Sequence, residues 1–235
     1  MLGLRGFRQL WLGQIFSQLA DKFYIVLMVF LIAQVWVSET PANSPALAEA
    51  AAAMRVNLES RAQVITLLAT GIYVANTIPA ILLGTVAGVW ADRWPKRSVM
   101  VASNGLRALL VLLAPLCLLP GPEWLGLSWG YWGLVLMTFL ESVLTQFFAP
   151  AEQAAIPLLV PSELLLAANS LYQATSMAAT IVGFALGDPI LRLLESLLAR
   201  IGIAGGEFVL LPLCYGAAAV AISRISLQET PMGDR

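Results

Sequence analysis

Six long apolar runs, each bounded by charge, proline or glycine, set the pattern of the chain: Gln9–Val37, Gln63–Trp90, Val99–Leu119, Trp129–Phe148, Leu164–Leu186 and Phe208–Ser223. A helix needs about 20 apolar residues to cross a bilayer, so the pattern predicts six membrane-spanning helices. Two further segments do not fit a span. Pro45–Arg61 is alanine-rich with spaced charges and predicts a short surface helix. Ile190–Ile201 sets Leu191, Leu194, Leu198 and Ile201 on one face with Arg192, Glu195 and Arg200 elsewhere, which predicts an amphipathic helix in the interface, ended by Gly202, Gly205 and Gly206.

Within the spans, polar residues recur at helical spacing. Helix 1 carries Gln14, Ser17, Gln18 and Asp21 at i, i+3, i+4 and i+7. Helix 2 repeats the stripe with Thr66, Thr70, Tyr73 and Thr77, helix 4 with Thr138, Glu141, Ser142 and Thr145, and helix 5 with Asn169, Gln173, Ser176 and Thr180. Helix 3 is polar only towards its start, at Ser103, Asn104 and Arg107, and helix 6, FVLLPLCYGAAAVAIS, has almost no polar side chain. Helices 3 and 6 are therefore expected at the lipid-facing periphery. The alternation has the form of a three-helix unit used twice, a 3+3 inverted repeat in an all-α membrane protein. Helices 1 and 4 are then counterparts, each with a carboxylate near its middle, Asp21 and Glu141.

A carboxylate at the centre of a span costs about 2.5–3.5 kcal/mol on insertion scales. Small polar residues also serve as packing contacts between helices, and for Ser and Thr alone either reading stands. Stripes centred on carboxylates point instead to a water-accessible path, on which Gln14, Gln18, Asp21, Glu141, Thr145, Asn169 and Gln173 converge. Lys22 lies about 100° around the helix from Asp21 and either snorkels or meets Glu141. Arg107 is expected to pair with Asp92 or Glu152, and Asp188 to be exposed.

Composition narrows the function classes. Apolar residues form 59% of the chain and charged residues 11%, with a mean hydropathy of +0.82, so lipid is the solvent for most of the surface. The net charge of −1 and the scattered basic residues argue against a nucleic-acid partner. Histidine is absent, which removes His-based triads, HExxH zinc sites and His proton relays. Cys117 and Cys214 sit in apolar runs as packing residues. No cofactor, metal or enzymatic site is expected. The first apolar stretch is too long for a signal-peptide core and reads as a retained helix. Arg5, Arg8, Arg93, Lys96, Arg97, Arg224 and Arg235 fall on the amino-terminal side of the membrane, against Arg55, Arg61, Arg192 and Arg200 opposite. The cluster in the short loop Arg93–Arg97 places both termini in the cytoplasm.

That loop reads GTVAGVWADRWPKRSVMVASNGLRALL and resembles the signature of the major facilitator superfamily between its second and third helices. Gly88, Asp92, Arg93, Lys96 and Arg97 fit; Pro95 stands in place of the usual second glycine and stiffens the turn. Gly88 permits close helix packing, and Asp92 compensates a helix terminus or its arginine neighbours. The segment FFAPAEQAAIPLLVPSELLLAANSLYQATSMAATIVGFALGDPIL is similar to a branch of bacterial efflux and lysophospholipid transporters, as is helix 1, with Ala20-Asp21 where Gly-Asp is common. In helix 5, Gly183 and Gly187 match the usual close-packing pair, while Phe184 and Asp188 depart from it.

The resemblance covers six of the family's twelve helices. It implies an amino-terminal half of a secondary transporter in the bacterial inner membrane, with residues 1–224 as the bundle and 225–235 as the start of a central linker. It further implies an amphipathic or lipid-like solute moved by alternating access. Asp21 and Glu141 would bind a coupling cation or the charged part of the solute, with hydrogen bonds from Gln14, Gln18, Asn169 and Gln173. Asp92, Arg93, Lys96 and Arg97 would form a cytoplasmic gate. The partner is the bilayer together with a second six-helix half or another copy of the chain. The alternative is a six-helix scaffold assembled with another membrane complex and transporting nothing.

Overall fold

The computed structural model describes residues 3–36, 61–125, 127–202 and 205–227. Six helices in it are long and apolar enough to cross a membrane. They are α1 (Arg5–Leu31), α2 (Arg61–Arg93), α3 (Lys96–Leu113), α4 (Trp129–Leu159), α5 (Leu165–Arg200) and α6 (Leu210–Ser223). The π-helical turn Ile32–Trp36 continues α1, and a two-residue hairpin, Glu123–Trp124 against Leu127–Ser128, precedes α4. The predicted surface helix over Pro45–Arg61 falls, apart from Arg61 at the start of α2, outside the described residues, as does the tail from residue 228.

Several prolines that would end a helix in water lie inside these helices. Pro79 lies inside α2, Pro150 and Pro157 inside α4 and Pro189 inside α5. In a bilayer, neighbouring helices re-satisfy the backbone groups a proline frees, and breaking the helix outright would strand more of them. This corrects two expectations. Helix 4 runs to Leu159, past Phe148, and the segment predicted over Ile190–Ile201 is the last part of a 36-residue α5 that ends at Arg200, not a separate interfacial helix. Leu191 is fully buried, Ile201 is exposed, and the chain turns at Gly202 with φ +80°. Gly206 then returns so close to α5 that a Cβ there would stand 2.5 Å from the Leu194 carbonyl oxygen.

The helix pairs have an internal symmetry. Helix α4 packs on α2 and α3, α1 packs on α5 and α6, and α3 packs on α6. Exchanging 1 with 4, 2 with 5 and 3 with 6 returns the same set of pairs, as a 3+3 repeat requires. The starts of α1 and α3 and the ends of α4 and α6 share one side: Gly6 meets Leu159, Gly13 meets Ile222, and Arg97 donates to the Ser223 carbonyl at the end of α6. Since α1 starts on that side and α4 ends there, the two units have opposite senses.

Helices α3 and α6 are not peripheral in the predicted sense. Each turns an aliphatic face outward, Leu109 and Leu112 on α3 and Leu213 and Val220 on α6, but their other faces meet at the centre of the bundle. Gly13 on α1 brings α6 close: a Cβ there would stand 3.4 Å from the Ala218 carbonyl oxygen. The more exposed helices are α2 and α5, whose outward residues include Ile81, Leu82, Met177 and Ile181.

Two apolar clusters fill the interior. One, on the amino-terminal side, gathers Phe7, Leu10, Met100, Phe148, Ile156 and Ile222; Ile225, just beyond α6, belongs to it. The other, on the opposite side, gathers Phe23, Leu27, Ile72, Leu134, Leu191 and Leu211. Between them lies a layer of polar side chains.

Candidate functional site

Arg107 is the centre of this layer. It stands on α3 one turn beyond Ser103 and Asn104, and all three are buried, Arg107 to 0% exposure. A guanidinium in hydrocarbon must satisfy its charge and its five donors locally, and helices 1, 4 and 6 each supply part of that. Arg107 Nη1 lies 3.3 Å from Asp21 Oδ1 and donates to Ser17 Oγ at 3.3 Å, both on α1. Arg107 Nη2 donates to Thr145 Oγ1 on α4 at 2.9 Å, and Nε stands 3.7 Å from Glu141 Oε1 without forming a hydrogen bond. The guanidinium lies 4.9 Å from the centroid of the Phe148 ring and 5.7 Å from that of Tyr215, a placement in which the ring quadrupoles favour the cation.

Tyr215 on α6 ties the two carboxylates together. Its hydroxyl is 2.8 Å from Asp21 Oδ1 and 3.3 Å from Glu141 Oε1, and its single proton serves one of them at a time. Ser17 donates to Asn104 Oδ1 at 2.9 Å, and Tyr24 and Thr138 share a hydrogen bond of 3.1 Å above the layer. Two carboxylates therefore share one buried arginine, and the fully ionised trio carries one negative charge. Asp21 is the more open of the two, with 18% of its side chain exposed against 5% for Glu141.

Several expectations change here. Arg107 pairs with Asp21 and Glu141, not with Glu152. The Asp92 side chain lies outside the described set, and Glu152 instead accepts a hydrogen bond from Tyr172 at 3.0 Å. Lys22 does not meet Glu141: its stem crosses Gly183, where a Cβ would collide with Lys22 Cβ. One turn on, a Cβ at Gly187 would stand 2.9 Å from Val26. Asp188 is exposed and pairs with Arg192 at 2.8 Å.

The proposed polar residues divide into two places. Asp21, Glu141 and Thr145 meet at Arg107. Gln14 is buried and donates to the Tyr172 carbonyl at 2.9 Å, and Gln18 accepts from Ser176 at 3.4 Å, so both fasten α1 to α5. Asn169 and Gln173 do not reach the arginine. They line a pocket of about 400 Å³ between α4 and α5, with Gln153, Pro157, Leu165 and Tyr172. The helix 2 stripe also faces outward: Thr66, Thr70 and Thr77 bond the carbonyls four residues earlier in their own helix.

In the loop between α2 and α3, only Trp94 and Pro95 separate the helices. Arg93 is exposed, Lys96 half-buried, and Arg97 closes the end of α6. A Cβ on Gly88 would meet nothing within 4 Å, so this glycine does not serve close packing within the bundle.

The residue that sequence reasoning missed is Tyr215. Its signal was present, as the one phenol in an otherwise aliphatic span, beside four small residues. Arg107 stands out in the sequence because Ser103, Asn104 and Arg107 repeat the spacing of the helix 1 stripe, but its partners Asp21 and Glu141 do not follow from that spacing.

Comparison with curated proteins and with solved structures gave no match. Residues 10–222, nearly the whole described bundle, match the Major Facilitator Superfamily. With six spanning helices in two inverted units and a buried charge cluster between them, the chain belongs to that superfamily of secondary transporters.

Proposed function

We propose that the bundle is one half of a transporter that moves an amphipathic or lipid-like solute by alternating access, rocking against a second six-helix bundle or another copy of itself, with both termini in the cytoplasm. The observation that carries the coupling role is the two-to-one ratio of carboxylates to arginine in a buried layer. One carboxylate neutralises Arg107, and the other is free to hold a proton, a metal cation or the cationic part of a solute. Asp21, the more exposed, is the entry point, and Glu141 keeps the arginine occupied while Asp21 is engaged. The outward polar and apolar faces of α2 and α5 supply the surface on which the second half would slide. The lipid-like solute class rests on the resemblance of helices 1, 4 and 5 to efflux and lysophospholipid transporters.

The test uses inside-out and right-side-out vesicles from cells producing the chain together with any polypeptide that co-purifies with it. Movement of a fluorescent lysophospholipid down an imposed proton or sodium gradient is expected, and Asp21→Asn should abolish its dependence on the gradient. Gradient dependence that is unchanged in Asp21→Asn would remove the coupling role. Selective movement of a hydrophilic sugar, with none of the lysophospholipid, would overturn the solute class.

A further inference from the structure

Glu152 is a second buried acid that the arginine cluster does not use. It lies on the same face of α4 as Glu141, Thr145 and Phe148, which follow at i, i+4 and i+7 with Glu152 at i+11. Phe148, its ring against the Arg107 guanidinium, stands between the cluster and Glu152. Glu152 is 0% exposed, among Phe148, Ala151, Ala155 and Ile156. Its Oε2 accepts the Tyr172 hydroxyl at 3.0 Å, while its Oε1 is buried and has no hydrogen-bond partner. Among the described residues no cation forms an ion pair with it. Tyr172 on α5 is the titratable group in contact with it, and Arg107 on α3 and Asp21 on α1 are the charged groups within electrostatic reach.

An ionised carboxylate so placed would carry an uncompensated charge and a bare oxygen in hydrocarbon. Adding a proton removes the charge and leaves only one unpaired hydroxyl, a much smaller penalty. In that state Oε2 is the carbonyl oxygen and accepts from Tyr172, as the geometry requires. On its other side Tyr172 lines the pocket formed with Gln153, Asn169 and Gln173, whose amides offer water both donors and acceptors.

We infer that Glu152 is a proton-binding site, loaded in this conformation, separated by Phe148 from the Asp21–Arg107–Glu141 cluster and connected to the α4–α5 pocket through Tyr172. The site is independent of the solute and of whether Asp21 couples transport, since it rests on different residues.

Infrared spectroscopy of the full chain in lipid nanodiscs at neutral pH tests it, because a protonated carboxyl has a carbonyl stretch well separated from carboxylate bands. A protonated-acid band is expected in the unmodified chain, and Glu152→Gln, which keeps shape and hydrogen-bonding capacity, should remove the Glu152 component from it while leaving any contribution of Asp21 or Glu141. Tyr172→Phe should retain the band and shift it to higher frequency, because the carbonyl loses its donor. This second variant keeps the acid itself and decides the matter even if Glu152→Gln folds poorly. A difference spectrum between the unmodified chain and a folded Glu152→Gln that shows no protonated-acid component, or a component that does not move in Tyr172→Phe, would each overturn the assignment.

Discussion

Neutralising Asp21 and Glu141 singly and together gives the sharpest test of how the polar layer is held. At an effective dielectric constant of about 20, a unit charge pair at the 3.3 Å of Arg107–Asp21 is worth about 5 kcal/mol and one at the 3.7 Å of Arg107–Glu141 about 4.5 kcal/mol. The two carboxylate oxygens both lie on the Tyr215 hydroxyl, at 2.8 and 3.3 Å, so they are at most about 6 Å apart and repel by about 3 kcal/mol on the same scale. Removing one carboxylate loses its attraction but relieves that repulsion, a net cost of about 2 kcal/mol. Removing the second has no such relief and leaves Arg107 bare, at about 3–5 kcal/mol. Asp21→Asn and Glu141→Gln should each be tolerated, and the double variant should fall well below the sum of the two. Unfolding of the purified chain by sodium dodecyl sulfate in mixed micelles reads these differences, and Arg107→Leu in the doubly neutral background should recover most of the loss. Additive effects, or a single variant as damaging as the double, would show that the carboxylates do not share the arginine.

The close approach of α1 to α5 predicts that Gly183→Ala and Gly187→Ala, whose new methyl groups would press on Lys22 and Val26, each cost about 1–3 kcal/mol in the same unfolding assay. Gly88→Ala, with nothing opposite, should be neutral. With Cys117 and Cys214 replaced, a single cysteine at position 96 should resist an impermeant thiol reagent in intact cells and react once the membrane is opened; labelling from outside would reverse the proposed orientation.

The spans were legible because a bilayer imposes a length and a composition that survive in one dimension. The stripes on helices 1 and 4 were legible for a similar reason: helical periodicity collects Gln14, Ser17 and Asp21, or Glu141 and Thr145, on one face without reference to any neighbour. What periodicity does not carry is which faces meet. Arg107 finds Asp21 across 86 positions of sequence and Tyr215 finds it across 194, and those pairings follow from helix packing alone. Helix 6 looked lipid-facing because a lone tyrosine adds little polarity to an aliphatic span, yet one hydroxyl is enough where its partners are ionised. Asn169 and Gln173 share the helical spacing of Gln14, but the stripes of helices 1, 4 and 5 do not all open on one cavity. The predicted helix 5 ends at Leu186, ahead of Gly187, Asp188 and Pro189, residues that bound a helix in water but lie inside α5 here.

The exchange of partners between the two units bears on biosynthesis. Helix α1 rests on α5 and α6, and α4 sits between α2 and α3, so the first helix of each unit is lodged in the other. At about 5–20 residues per second, a ribosome needs roughly 4–17 s to travel the 86 residues from Asp21 to Arg107. During that interval the first helix holds its acid in the membrane without its arginine, and its packing partners have not been made. An insertase or chaperone that shelters a half-finished polar helix therefore has to hold α1 until α3 and the second unit follow it, and depletion of such a factor should leave α1 as the first segment to be degraded.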